Sequence, residues 1–178
     1  MFARAALLVL ASTPAVAAPA ESFANDPVVL IDYGVICQVA SSGSRPAPET
    51  LLGEINLIDQ TRDMDVTTRV VPAKAGISFG VKFTVVPGTG DLPVTVIVTH
   101  PPMGDAAMTR ETWGALIQEN GSSLNLFTFD FPFEMRPGAW SMAIEADGRR
   151  LMEQHFDVVS ELAAPAVLSV CYGQDFVS

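Results

Sequence analysis

The residues of this sequence that could do chemistry are few and widely spaced. Its two histidines are His100 and His155, and its two cysteines are Cys37 and Cys171. A Ser–His–acid triad needs a histidine beside a nucleophile, and no G-x-S-x-G motif accompanies either histidine. A zinc site would need a third ligand from a distant carboxylate. We therefore predict no catalytic residue, no metal ligand and no cofactor-binding residue, and we expect both histidines to be surface or strand-end residues.

Carboxylates are numerous but form no recognisable site. Glycoside hydrolysis uses a pair of them, but among twenty acidic residues some pair is inevitable and carries no information. Asp59, Asp63 and Asp65 could bind a cation from one loop, although their order does not match the D-x-D-x-D-G pattern of calcium loops. We interpret this segment as a solvated turn and leave cation binding open.

The two cysteines are predicted to form a structural disulfide, because they lack the C-x-x-C spacing of a redox pair. Cys37 lies on the apolar side of the first predicted strand, and Cys171 lies on the last one, Val167–Tyr172. Pairing these two strands would bring the cysteines within the ~4.4–6.8 Å Cα separation that a disulfide requires. The alternative is a pair of free thiols buried as small hydrophobic residues.

The N-terminus has the composition of a secretory signal peptide. Arg4 precedes an apolar run over residues 5–11, and two A-x-A patterns end at Ala17 and Ala20. The apolar run is too short to cross a bilayer; the alternative is a short N-terminal helix or an anchor. We predict residues 1–20 as a cleaved signal peptide, residues 21–178 as a single domain, and a periplasmic or secreted location, where a disulfide persists.

The composition excludes some classes of partner. Signal cleavage would leave nine basic residues against twenty acidic ones, a balance that repels nucleic-acid phosphates and anionic lipid surfaces. No second apolar run is long enough for a transmembrane helix. We expect an unidentified protein or envelope component as the partner, no nucleic acid, and no membrane span after signal cleavage.

A hairpin from Pro137 to Val159 organises the predicted fold. Asp147 and Gly148 separate two apolar-patterned runs, and this dipeptide suits a type I′ turn, in which both central residues have positive φ. A slip of phase in the second run predicts a bulge near residues 153–155, which would turn Leu151 inward. Such a hairpin needs a second sheet to cover its apolar face. The predicted structural core consists of Trp140, Phe79, Phe83, Ile144 and Phe156.

Seven or eight short strands with turn signals between them predict an all-β fold, an antiparallel immunoglobulin-like β-sandwich, with a small β-barrel as the alternative. Residues 41–48 are predicted as a loop, and the prolines after His100 are predicted to end a strand. Met103–Gly121 holds either a short helix at Met108–Leu116 or a long connection, with Trp113 in the core or in an exposed patch. The candidate strands are Val28–Val39, Leu51–Ile58, Val66–Val71, Ile77–Val86, Val94–Thr99, Phe127–Phe133, the two arms of the hairpin and Val167–Tyr172.

Four motifs together resemble an uncharacterised family of exported bacterial domains of unknown function: YGV at Tyr33–Val35, SFGVKF at Ser78–Phe83, HPPM at His100–Met103 and the PGAW…DG hairpin. The resemblance implies an immunoglobulin-like sandwich and brings no catalytic residue with it. The hairpin is also similar to the last hairpin of periplasmic copper-resistance β-sandwiches. Those proteins follow Asp-Gly with a ligand histidine, whereas Arg149 stands at that place here.

The sequence therefore predicts a non-enzymatic, exported sandwich that binds a protein or envelope component, because its edge strands could accept a partner strand. The alternatives are a copper-type metal-binding module and a hydrolase built from scattered carboxylates.

Overall fold

The computed structural model describes residues 21–173, so the predicted signal peptide lies outside the described residues. Within this range no helix has the length and apolar character needed to cross a membrane. After the strands come a short 3₁₀ helix, Glu161–Ala163, and one α-helix, α1, Pro165–Tyr172. The eleven strands are β1 Phe23–Ala24, β2 Val28–Ile36, β3 Ser41–Pro46, β4 Glu54–Ile58, β5 Val70–Pro72, β6 Ser78–Val85, β7 Leu92–Met103, β8 Met108–Ile117, β9 Ser123–Thr128, β10 Gly138–Ala146 and β11 Arg149–Val159.

The strands form two packed sheets and a separate ribbon. The larger sheet has the order β1-β11-β10-β7-β8, with β5 joined to β11. The smaller sheet has the order β2-β6-β9, and β3 pairs with β4 to form the ribbon. Every pair is antiparallel except β5 with β11. The predicted antiparallel β-sandwich is confirmed, and the sheets of the described chain do not close into the alternative barrel.

The core lies between the two sheets and is centred on Trp140, which is 1% exposed. Its ring lies 5.5 Å from that of Phe79, 5.0 Å from that of Phe127 and 5.8 Å from that of Phe129, measured between ring centroids. Edge-to-face aromatic contacts of this kind add to the free energy gained from burial alone. The other predicted core residues, Phe83, Ile144 and Phe156, are at most 1% exposed.

The β10–β11 hairpin turns at Asp147 and Gly148, whose φ angles of 49° and 71° are the positive values that a type I′ turn requires. The predicted bulge near residues 153–155 is wrong in position. The register shifts at Leu151 instead, because Ile144 faces Met152 while the next residue of β10 faces Arg150. The extra residue lets the adjacent Leu151 and Met152 both point into the core.

Simple alternation in the predicted strand Val28–Val39 would put Val29 and Ile31 on the buried face of Val35, and the structure contradicts this in the first half of β2. Val29 and Ile31 are exposed, at 39% and 51%. Ile31 is an extra residue in the pairing with β6, since Leu30 faces Phe83 while Asp32 faces Lys82. This bulge inverts the alternation.

Two expectations about β7 and its neighbour are corrected. The prolines after His100 do not end the strand, since β7 continues to Met103, although its pairing with β8 becomes irregular after Thr99. The short helix considered at Met108–Leu116 is strand β8. Proline can lie in a strand at a position where no ladder hydrogen bond is needed, and the irregular register supplies such positions.

Two further segments differ from the sequence expectations. The predicted loop at residues 41–48 contains strand β3, which pairs with β4. The predicted strand Phe127–Phe133 leaves the sheet after Thr128, so that Phe131 is 43% exposed and stacks on Phe133. Strands β1, β3 and β8 were not predicted, and they bring the count in the described residues to eleven.

The last predicted strand, Val167–Tyr172, is wrong: this segment is helix α1. Pro165 is its first residue, a position where the fixed φ of proline favours a helix. Val167 and Leu168 are buried while Val170 is 59% exposed. A short apolar run of this kind fits a strand or one face of a helix equally well, and here it is helical. The predicted disulfide is nevertheless present, joining Cys37 after β2 to Cys171 of α1 with a Cα separation of 5.0 Å.

Candidate functional site

A cleft of about 480 Å³ lies where the edge strands of the two sheets approach each other beneath the ribbon. Its walls come from β8 of the larger sheet, β9 of the smaller sheet and β4 of the ribbon. Every residue of β4 and every residue of β9 contributes to the lining. Since successive side chains of a strand point to opposite faces, this unbroken run means that the main-chain edges of both strands border the cleft. The volume is within the range of ligand pockets.

A side chain from the segment after β4 already occupies part of the β9 edge. The main-chain N–H of Leu124 donates to Oε1 of Gln60 over 2.8 Å, and Nε2 of Gln60 donates to the carbonyl of Leu124 over 3.2 Å. A neighbouring strand makes this same two-point contact. Leu124 therefore directs its main chain away from β6 and towards the ribbon.

The same alternation directs the main chain of Leu126 into the cleft. In an antiparallel pair, the residues of one parity bond to the partner strand and those of the other parity face away. Leu126 has the parity of Leu124, and its β6 counterpart is Gly80. Outside the strand pairing, no hydrogen bond among the described residues involves the main-chain N–H or C=O of Leu126. The edge of β9 thus offers one donor and one acceptor to an occupant of the cleft.

The facing edge of β8 is closed by residues of the ribbon and its turn. The Arg45 guanidinium donates to the carbonyl of Gly114, and the N–H of Thr112 donates to the carbonyl of Glu49 over 3.2 Å. The two edges therefore differ in their hydrogen-bonding capacity. The β9 edge is the one that remains available.

The floor of the cleft is a polar contact between the two sheets. Nε1 of Trp113 on β8 donates to Oδ1 of Asn125 on β9 over 3.1 Å, and Nδ2 of Asn125 donates to Oγ of Ser123 over 2.9 Å. Phe127 continues the floor and packs against Trp140 of the core. Trp113 is 8% exposed, so of the two expectations for this residue it follows the core one while also lining the cleft.

Carboxylates dominate the charge of the lining. Glu54, Glu111, Asp130 and Glu134 contribute to it, against the single cation Arg45. Glu134 is 3% exposed, and burial raises the pKa of its carboxyl to about 7. Hydrogen bonds from the N–H groups of Asp130 and Phe131 to its Oε2 oppose that rise in pKa. The end of the cleft nearest Asp130 is therefore acidic.

His100 lies buried behind this acidic end, so the expectation of a surface or strand-end residue is wrong. Its side chain is fully inaccessible, Nδ1 lies 2.8 Å from the carbonyl of Pro101, and Nε2 lies 3.4 Å from Oε1 of Glu111. The second oxygen of Glu111 accepts the main-chain N–H of Leu51 over 2.9 Å. A buried carboxylate thus joins β7, β8 and the turn before β4.

The three aspartates of the charged turn do not converge. Asp59 accepts from Thr61, Asp63 pairs with Nζ of Lys82 over 2.7 Å, and Asp65 accepts the N–H of Cys37 over 2.8 Å. His155 is partly exposed, with Nε2 at 4.0 Å from Glu153. Within residues 21–173, no three His, Cys, Asp or Glu side chains come together as metal ligands would. Each carboxylate of this turn has a local structural partner instead.

Of the individual residues singled out from the sequence, Trp113 lines the cleft. The disulfide, the predicted core and the Asp147-Gly148 turn do not line it, and its other functional groups come from residues that the sequence did not single out. The sequence did contain a signal for the burial of His100, because this residue continues the alternation of the buried Val94, Val96 and Val98. The missed residues are Gln60, Glu111, Asn125, Leu126 and Glu134.

Comparisons with known proteins give a family and a similar solved structure. Residues 26–158 match a family described as a domain of unknown function (DUF3859). No curated protein matches the chain. The chain is similar to the solved structure of an immunoglobulin-like protein from Pseudomonas aeruginosa, with 21% sequence identity, 80% of this chain and 100% of that chain covered, and a TM-score of 0.48.

Proposed function

The chain belongs to the DUF3859 family of domains of unknown function, and from that premise we propose that it is an exported, non-enzymatic β-sandwich that binds a protein or envelope component in the cleft between β4 and β9. The family confirms the resemblance drawn from the sequence motifs. It supplies no activity, so the proposal is drawn from the cleft itself.

The observation that carries the proposal is the unoccupied edge of β9. Edge strands of soluble proteins are normally shortened, charged or covered, since an open row of N–H and C=O groups recruits other chains. Here the ribbon covers β9 at a distance and leaves a cavity of about 480 Å³ along the edge. A scaffold that only needed to protect its edge would close this gap, as Arg45 and Glu49 close the edge of β8.

Export is supported by the N-terminal sequence and by the disulfide. Arg4 followed by an apolar run and A-x-A patterns is typical of a cleaved signal. The Cys37–Cys171 bridge is a feature that persists in oxidising compartments.

A carboxylate-based hydrolase is the second candidate function, and one observation favours it. Glu134 has a pKa of about 7 and shares the cleft with Glu111 and Asp130. A carboxylic acid that keeps its proton near neutral pH can act as a general acid. Against this role, both main-chain donors on Oε2 of Glu134 hold the group in a structural turn.

Site-specific photo-crosslinking in the native cells tests the binding function. A photoreactive phenylalanine analogue replaces Leu57 or Leu116, which line the cleft and are 41% and 50% exposed. The matched control carries it at Leu162, which is 92% exposed and outside the cleft. We expect one discrete adduct from both cleft positions and none from the control.

Two results would count against the proposal: adducts of equal yield from all three positions, or none from the cleft. Metal analysis of the purified protein addresses the metal-binding alternative, since stoichiometric copper or zinc would favour that module. Turnover of a glycoside or ester that is abolished by Glu134→Gln would favour the hydrolase.

A further inference from the structure

The occupant of the cleft can be named by its chemistry. We infer that the cleft binds an extended peptide segment, which adds to the free edge of β9 as a further strand and directs a basic side chain towards Asp130. This inference rests on the proposed function, because it specifies the class of partner for the same cleft.

Main-chain geometry is the first step. Gln60 already satisfies the N–H and C=O of Leu124 in the way that a neighbouring strand would, and the next residue of equal parity, Leu126, remains unpaired. An extended peptide placed beside Leu126 supplies a carbonyl and an N–H at the strand spacing of about 4.8 Å. Strand addition of this kind derives its affinity from main-chain hydrogen bonds.

The shape of the cleft is the second step. Its long walls are the edges of two strands, β4 and β9, which are linked across the gap by the side chains of Gln60 and Asn56. Gln60 reaches Leu124 near the start of β9, and Asn56 reaches Asp130 beyond its end, so β4 and β9 run in opposite directions on either side of the space. A slot bordered by two antiparallel edges fits an extended chain.

Charge complementarity is the third step. Asp130 is exposed at one end of the slot, and Glu134 and Glu111 line the same cleft. The single cation of the lining, Arg45, is engaged with the carbonyl of Gly114. Since alternate side chains of an added strand point inward, one of them meets this acidic end, and a lysine or arginine is the residue that it would attract.

Side-chain selectivity at the other end follows from the floor. Trp113 and Leu116 line the cleft beside Asn125 and Ser123, and none of these four side chains is charged. The inward residue two positions from the basic one would therefore be apolar. A second copy of this protein is disfavoured as the occupant, because a formal net charge of −10 on each chain opposes its approach to an acidic slot.

The test uses the purified exported protein and a synthetic peptide with blocked ends. In this peptide, threonines separate a valine, a lysine and a second valine. A second peptide of the same sequence carries N-methyl groups on the threonines, which removes main-chain donors and leaves every side chain unchanged. A third replaces Lys by norleucine, which keeps the length and removes the charge. We measure affinity by calorimetry and hydrogen exchange at the Leu126 amide by NMR.

We expect the first peptide to bind and to slow exchange at Leu126. N-methylation should weaken binding by about tenfold or more, the scale of one lost hydrogen bond. Norleucine, or the variant Asp130→Asn, should weaken it by about threefold to tenfold, with the loss shrinking at high salt. The control variant Asp157→Asn, at an exposed acid of β11, should bind like the wild type.

A protein variant provides an independent check. Leu126→Pro removes the outward N–H at an edge position where proline is tolerated, and its melting curve shows whether the fold is retained. A folded Leu126→Pro protein that binds the first peptide at full affinity would overturn the inference. So would equal binding of the N-methylated peptide, protection that appears away from β9, or binding of a neutral oligosaccharide in place of the peptide.

Failure of this inference is distinguishable from failure of the proposed function. Cleft-specific crosslinks together with no main-chain dependence of peptide binding would remove strand addition and keep a binding cleft. Absence of both crosslinks and peptide binding would remove both.

Discussion

Nε2 of His100 lies 3.4 Å from Oε1 of Glu111, and this buried contact joins strands β7 and β8 behind the cleft. Nδ1 of His100 faces the carbonyl of Pro101, so the hydrogen of a neutral ring resides on that nitrogen. Nε2 has no hydrogen-bond partner in the described structure. The hydrogen bond that holds the Glu111 carboxylate in place is therefore the one that its other oxygen accepts from the Leu51 N–H.

Loss of the Glu111 carboxylate should destabilise the fold. Glu111→Leu leaves the Leu51 N–H without its acceptor, and we expect the free energy of unfolding to fall by ~1–3 kcal/mol. Denaturant unfolding measures it, with Arg110→Ala on the same strand as an exposed control that should change little. An unchanged midpoint for Glu111→Leu would show that water replaces the carboxylate without cost.

Truncation of Trp140 should remove the centre of the core. Its ring contacts three phenylalanine rings, and its Nε1 donates to the carbonyl of Arg136 over 2.8 Å. Trp140→Ala should cost ~3–5 kcal/mol, the range for emptying a large aromatic site. Thermal melting checks this, with Leu162→Ala as the exposed control. Equal melting temperatures for the two variants would contradict the central place of Trp140.

Glu134 should make the fold less stable as pH rises. Its pKa is about 7 in the folded protein against an ordinary value of 4.5, so the folded state binds the proton more tightly. The unfolded state then ionises first, and the free energy of unfolding falls between those two values. Glu134→Gln should flatten this part of the profile. Melts at about pH 5 and about pH 8 measure it, and a slope that persists in the variant would assign it to other groups.

The disulfide should account for a measurable share of the stability. Thiol titration of the unreduced, denatured protein should find no free thiol, since Cys37 and Cys171 are bridged. Reduction should lower the free energy of unfolding by at most about 5 kcal/mol, the loop-entropy estimate for a bridge of this span. A Cys37→Ser/Cys171→Ser protein is the control, because a reductant should leave its stability unaltered. Two free thiols would remove the bridge.

Export should leave a shortened N-terminus. We expect the mature chain to start between Ala18 and Glu21, where the A-x-A patterns place cleavage. N-terminal sequencing of the protein from the exported fraction measures this directly. An intact Met1 would contradict both the cleavage and the compartment that we propose.

The sequence predicted the main strands and the hairpin turn better than it predicted the positions of the bulges. The alternation of Ile77–Val86 corresponds closely to β6, and Asp147-Gly148 identified the turn of the long hairpin. Bulges at Ile31 and Leu151 shift side chains between faces. Their positions depend on the partner strand, which a single strand's pattern does not contain.

The cleft could not be predicted from local sequence patterns. Glu111 becomes a buried group only because His100 and the Leu51 N–H come to it from other elements, and Glu134 owes its raised pKa to burial in the folded chain. Likewise, the free edge of β9 exists because the ribbon lies apart from it. Each property arises from contacts between residues distant in sequence, whereas composition and periodicity report on neighbours.

The position of Cys171 also sets an order of events during biosynthesis. Every strand that the structure describes precedes it in the chain, so the bond to Cys37 can form only after all of them have left the ribosome. Until that bond forms, packing and hydrogen bonds alone hold the two sheets together. Once formed, the bridge holds α1 covalently against the end of β2.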